Sequence, residues 1–146
     1  MNEPSQLKRG KAFQKEVYKD FERHNKSGLF KAEQYRHLLR GKRGRMDVLI
    51  SELDDMVAVY EIKATNWDKI KPGNIKKNAW SHQRQLHHYV ESFVEEGIDV
   101  CVGIIYPTPP TSHKLQETIE TYLMEYGAPA YWFSEIKKDP SLTSPP

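Results

Sequence analysis

Met46-Asp47-Val48-Leu49-Ile50-Ser51-Glu52-Leu53-Asp54-Asp55-Met56-Val57-Ala58-Val59-Tyr60-Glu61-Ile62-Lys63 contains two β-type runs, Met46–Ile50 and Val57–Lys63, around a short acidic break. Apolar and β-branched residues on either side of a turn predict a β-hairpin. Glu61 and Lys63 are two residues apart on the second strand, so they leave the same face, and both interrupt an apolar run. If partner numbers add to 108, Asp47 on the first strand stands opposite Glu61, with Cβ atoms about 4.5–5.5 Å apart. A two-residue turn at Asp54-Asp55 gives 109 and throws Asp47 onto the other face. Convergence of the two carboxylates therefore requires an odd-length loop or a bulge between the strands.

Outward from the hairpin, apolar periodicity predicts a helix over Gln6–His24, with Leu7, Phe13, Val17 and Phe21 on one face and an exit at Asn25–Gly28. Phe30–Leu39 reads as a strand in its second half. Asn66–Asn78, with Pro72-Gly73-Asn74 and Lys69, Lys71, Lys76 and Lys77, reads as a basic loop. A helix is predicted over Ala79–Glu96 and a strand covered on both faces over Ile98–Tyr106, which makes Cys101 a core residue. Ser112 is placed to cap a helix ending near Tyr126, and Ala130–Phe133 reads as a last strand. Helices interleaved with the later strands imply an α/β sandwich around a central mixed sheet. One domain over residues 1–136 is expected, with 137–146 a disordered tail.

The chain has 146 residues, 29% charged and 38% hydrophobic, with 16 aromatics for a core. No apolar run reaches the ~20 residues of a bilayer span, and Met1–Lys15 lacks the apolar stretch of a signal peptide, so a cytoplasmic protein without a membrane partner is expected. A single cysteine excludes an internal disulfide and a zinc site built on paired thiolates. Net charge is only +2, but residues 1–50 hold 13 Lys/Arg against 6 Asp/Glu, and both later thirds are acidic. A basic face on a nearly neutral protein suits an anionic partner, nucleic acid ahead of membrane.

Paired carboxylates repel unless a cation sits between them, and oxygen-only ligation suits Mg²⁺. With an adjacent ammonium, that arrangement suits phosphodiester hydrolysis. On its own, a Glu-x-Lys step is more often a strand ion pair. Here Asp47 follows Arg40, Lys42, Arg43 and Arg45, read as a flexible phosphate-delivering loop, and the next helix carries Gln85 and Tyr89 one turn apart.

Arg45-Met46-Asp47, thirteen residues, Glu61-Ile62-Lys63, and then Gln85-Leu86-His87-His88-Tyr89 resemble the PD-(D/E)xK nuclease superfamily, and the QxxxY helix is similar to its RecB-like branch. The resemblance runs from about Phe13 to Tyr106, although Met46 stands where the family often has proline. It implies a restriction-endonuclease-like fold and a Mg²⁺- or Mn²⁺-dependent nuclease, usually acting on DNA. By position, Asp47, Glu61 and the Ile62 carbonyl would hold the metal. Lys63 would orient water or offset charge, and Gln85 and Tyr89 would support the site. Glu16 is the choice for a further acidic ligand on the first helix, with Gln14 the rival position.

Arg40, Lys42, Arg43, Arg45, Lys76, Lys77 and Arg84 are the expected nucleic-acid contacts. His82, His87 and His88 are read as solvent or phosphate contacts rather than a zinc site, and Trp67 and Trp80 as core residues with base stacking the alternative. The activity expected is that of a deoxyribonuclease in defence or repair, or a toxin domain whose partner would be an immunity protein. Double-strand cleavage would call for a homodimer. An RNA-cleaving enzyme and an inactive nucleic-acid-binding module are the competing readings.

Overall fold

The hairpin forms with the register that parity demands. In the computed structural model, which describes residues 5–24, 30–38, 43–53 and 55–138, strands β2 (Arg43–Leu53) and β3 (Met56–Ile62) run antiparallel. Partner numbers add to 108 from Ser51↔Val57 to Val48↔Tyr60, and a bulge between Ser51 and Leu53 shifts Leu53 opposite Met56. The bulge supplies the odd residue.

Strand β1 (Phe30–His37) is antiparallel to β2 along its whole length, not only its second half. Its alternating burial marks an edge strand with one covered face, anchored where Phe30 stacks on Phe21 at 5.3 Å. Strand β4 (Asp99–Tyr106) is parallel to β3, and β5 (Ala130–Trp132) is parallel to β4. The result is a mixed five-stranded sheet in the order β1-β2-β3-β4-β5.

Helices cover the sheet on both sides, giving an α/β sandwich. Helix α1 (Ser5–His24) buries Phe13 and Val17 against Ile105 and Phe133. Helices α2 (Ile75–Glu95) and α3 (His113–Met124) cover the opposite side, where Trp67, Leu86, Phe93, Ile104, Tyr106, Ile119 and Leu123 form the larger core. Successive β4 residues thus alternate between two helix layers. A side chain at Gly103 would meet the rings of Tyr131 and Tyr60 at 2.5 and 2.9 Å, so only glycine lets these aromatics close over β4.

Several expectations are corrected. Cys101 is exposed, because β5 pairs only with Ile104–Tyr106 and the α1 layer reaches β4 at Ile105, leaving the start of β4 open on that side. The segment 66–78 is not one loop. It holds two 3-10 turns, Trp67–Lys69 and Pro72–Asn74, and α2 already begins at Ile75 because Ile75 and Ala79 are both buried one turn apart. Arg43 and Arg45 belong to β2 rather than to a flexible loop. Helix α4 spans Phe133–Lys138, and Phe133 packs edge-on against Phe13. Residues 139–146 and the exit at Asn25–Gly28 lie outside the described residues. Among the described residues no helix is long and apolar enough to cross a membrane.

Candidate active site

Beyond Val48↔Tyr60 the paired ladder of β2 and β3 ends, and one further step in register sets Asp47 against Glu61. Asp47 turns its carboxylate into the gap, where Oδ2 accepts the Ile62 N–H at 2.9 Å. Both acids are buried, Glu61 with only 2% exposure. Burial, the charge of Asp47 and a hydrogen bond with it push the Glu61 carboxyl up to about 9, against the pull of Lys63. Glu61 Oε1 is buried without a hydrogen-bond partner. An uncompensated oxygen of this kind is costly in a folded protein.

Lys63 continues β3, and its N–H donates to the Ile105 carbonyl at 2.9 Å, which holds the chain beside β4. Its ammonium donates to Gln85 Oε1 at 3.4 Å, one helical turn before Tyr89. The Tyr89 hydroxyl donates to the Arg45 carbonyl. Its ring lies so close to Gly44 that a Cβ there would stand 2.8 Å away. One helical turn of α2 therefore fixes both the lysine and the part of β2 that leads into Asp47.

The other wall comes from α1 and β1. Gln14 Nε2 donates to Asp47 Oδ1 at 3.3 Å and to the Tyr18 hydroxyl at 3.1 Å. Arg45 Nη2 donates to the same Oδ1 at 3.2 Å, while its Nη1 pairs with Glu33 Oε1 at 3.7 Å. Burial pulls the Arg45 guanidinium down, but the charge and hydrogen bond of Asp47, with Glu33, outweigh it and hold it above its ordinary range. Glu33 sits at φ 51°, a left-handed conformation costing about 1 kcal/mol for a residue with a Cβ. Gln14, Glu33, Arg45 and Asp47, with Lys11 and Ile62, line a cleft of about 620 Å³ that also takes in Glu61, Lys63 and Gln85.

The structure thus brings Asp47, Glu61, Ile62, Lys63, Gln85, Tyr89 and Arg45 together. It does not bring Glu16, which lines an adjacent recess with Phe13, Ala64 and Asn66; Gln14 takes the α1 position beside Asp47. Arg40 and Lys42 lie outside the described residues. Arg43 stacks over Tyr35 at 4.2 Å, Lys76 over Tyr122 at 5.7 Å and Arg84 over Trp80 at 5.2 Å, while Lys77 is exposed. None of these four lines the cleft.

His82 is corrected: its Nδ1 lies 2.8 Å from the Tyr106 hydroxyl, its ring packs on Trp67, and burial pulls it down to about 4. The signal was its place one turn before buried Leu86. His87 is exposed and pairs with Glu91 at 2.8 Å, while His88 is half-buried. Trp67 is a core residue and Trp80 is exposed. Lys11 and Glu33 were missed, because only the crossing of α1 and the bend in β1 bring them to the cleft.

Oxygen donors from two adjacent carboxylates, one with an unpartnered oxygen, fit a hard divalent cation. Among the described residues no group of three or more His, Cys, Asp or Glu converges, so Asp47 and Glu61 would be its side-chain ligands, with the Ile62 carbonyl available in the same cleft. Such a cation would offset the burial and the charge of Asp47 that push the Glu61 carboxyl up.

No family model and no curated protein matches the chain. Among solved structures it is similar to AF1548, a protein of unknown function known from its crystal structure: the two are 14% identical with a TM-score of 0.52. The similarity covers 89% of this chain, which spans 62% of the length of AF1548, and at that identity it shows a shared α/β fold.

Proposed function

We propose that this chain is a divalent-metal-dependent nuclease that hydrolyses phosphodiester bonds of DNA, with a restriction-endonuclease-like core. The reading rests on one observation above all: two buried carboxylates meet at the open end of a hairpin, with an unpartnered Glu61 oxygen and Lys63 two residues along. Asp47, Glu61 and the Ile62 carbonyl would hold Mg²⁺ or Mn²⁺. When bound, such an ion polarises the phosphate and lowers the pKa of a water.

This chain's residues do the rest. The Lys63 ammonium, held by Gln85, orients the attacking water and offsets charge developing on the phosphate oxygens. Tyr89 keeps β2, and hence Asp47, in place. Arg45 at the cleft meets the nucleic-acid backbone, and Arg43 lies two residues further out on the same strand. A binding module without turnover has no use for buried carboxylates facing phosphate.

The test is incubation of the purified protein with supercoiled plasmid, linear duplex, single-stranded DNA and RNA, each with Mg²⁺, Mn²⁺ or EDTA, beside Lys63→Ala. Metal-dependent DNA cleavage lost in the variant is the expected result. Cleavage of RNA alone makes the chain a ribonuclease. Salt-sensitive binding without cleavage, unchanged in Lys63→Ala, overturns the nuclease reading.

A further inference from the structure

The nuclease reading leaves one feature of the cleft unexplained: the Asp47 carboxylate already has a cation. Oδ1 takes hydrogen bonds from Arg45 at 3.2 Å and Gln14 at 3.3 Å, and Oδ2 takes the Ile62 N–H at 2.9 Å. Three of the roughly four lone-pair sites of the carboxylate are taken, and a guanidinium on one of its oxygens opposes a second cation at the same group.

Of the three donors, two have little freedom to leave. Ile62 is backbone paired with Ile105 of β4, and Gln14 is held by Tyr18. Arg45 differs: its side chain is 42% exposed, and it reaches Asp47 across the mouth of the cleft. It also has a second anchor, Glu33, 53% exposed and held at φ 51° in β1. Non-glycine residues adopt that conformation rarely, and strained backbone gathers at functional places. The same guanidinium is also the cleft cation best placed to meet a phosphate.

We infer that Arg45 is a built-in counter-ion that a nucleic-acid backbone removes. In the free protein, Arg45 neutralises Asp47 and competes with a divalent cation for it. An arriving phosphate draws the guanidinium outward and leaves Asp47 to the metal. Metal and nucleic acid therefore bind with positive coupling, and free metal alone loads the site weakly. This rests on the nuclease reading in one respect, that a cation belongs between Asp47 and Glu61.

The experiment titrates Mn²⁺ by electron paramagnetic resonance into the wild-type chain, Arg45→Gln, Glu33→Gln and Lys31→Gln. Each titration is run alone, with a phosphorothioate oligonucleotide that resists cleavage, and with a neutral methylphosphonate one. Expected for the wild type is about tenfold tighter Mn²⁺ binding with the charged oligonucleotide and no change with the neutral one. Arg45→Gln binds Mn²⁺ about tenfold tighter without any oligonucleotide and loses the dependence. Glu33→Gln leaves Arg45 to Asp47 alone, so its Mn²⁺ binding weakens while the dependence persists. Lys31→Gln, the same charge change on β1 opposite Leu49 rather than at Asp47, shifts Mn²⁺ affinity far less than Arg45→Gln does.

Equal Mn²⁺ affinity in wild type and Arg45→Gln, indifferent to the oligonucleotide, overturns the counter-ion and leaves the metal site standing. An equal gain in Lys31→Gln and Arg45→Gln overturns it too, reducing the effect to net charge. Absence of Mn²⁺ binding in every variant under every condition overturns the metal site and the counter-ion together.

Discussion

Glu61, buried on β3, and His82, half-buried on α2, are two titratable side chains that both feel the charge of Lys63. Burial drives each to its neutral form, the carboxyl up to about 9 and the imidazole down to about 4. Their surroundings differ. His82 meets the Tyr106 hydroxyl and packs between aromatic rings in the larger core. Glu61 faces another carboxylate and keeps an oxygen without a partner. A perturbed pKa alone therefore does not mark a site; unmet hydrogen-bonding demand at the edge of a cleft does.

The contrast breaks most decisively at Glu61. Glu61→Gln removes the carboxylate that a bound cation needs without leaving a cavity, and the proposed metal-dependent cleavage falls more than about 10³-fold. In EDTA its thermal midpoint stays nearly equal, because burial and Asp47 already push the Glu61 carboxyl toward its neutral form and glutamine keeps its size. Calorimetry beside a cleavage assay checks both, and a lowered midpoint with retained cleavage makes Glu61 structural.

Lys63→Ala comes next. Cleavage falls by about 10²-fold or more, while Mn²⁺ affinity changes only a few-fold, because the proposed role of the ammonium is on water and phosphate rather than on the metal ligands. Parallel loss of Mn²⁺ binding assigns the lysine to holding the acidic pair.

His82 sharpens the contrast from the other side. Its folded pKa lies below the ordinary 6.5, so between pH 6.5 and 4 the unfolded chain binds more protons than the folded one. Its contribution is complete above pH 6.5 and is lost as pH falls toward 4, by roughly 3 kcal/mol at most. Urea unfolding at pH 7, 6, 5 and 4 reads this loss, and His82→Gln flattens that limb. An unchanged acid limb in the variant assigns the loss to other groups.

The smallest effect belongs to the support shell. Tyr89→Phe deletes the hydrogen bond to the Arg45 carbonyl and costs about 1 kcal/mol in denaturant unfolding. It lowers turnover only several-fold, because the ring still packs on Gly44.

Much of the site was legible because it is local. Asp47, Glu61 and Lys63 lie within one hairpin, and alternation along a strand with period two turns sequence distance into a facing rule. That rule required a bulge, and the bulge between Ser51 and Leu53 is there. Gln85 and Tyr89 were legible for the same reason, since one helical turn puts them on one face. The histidine on the same helix was misread because its charge type outweighed its position one turn before Leu86.

Residues carried in from distant elements were not legible. Gln14 and Glu16 flank the Phe13–Val17 stripe of α1 about 80° to either side, so local pattern treats them alike. Which one meets Asp47 depends on the direction in which α1 crosses the sheet, and that is set by Phe13 and Val17 docking on Ile105 and Phe133. Cys101 follows the same logic. Its apolar strand announces burial, but how far α1 and β5 extend over β4 exposes it.

Short-range geometry thus wrote the hairpin, its register, the helix stripes and the acidic pair into the order of residues, because strand and helix periods act over a few positions. The Gln14 wall, the Glu33–Arg45–Asp47 chain and the open half of β4 came from packing between segments far apart in the chain. Their relative placement is the joint minimum of many weak contacts, and no local period encodes it.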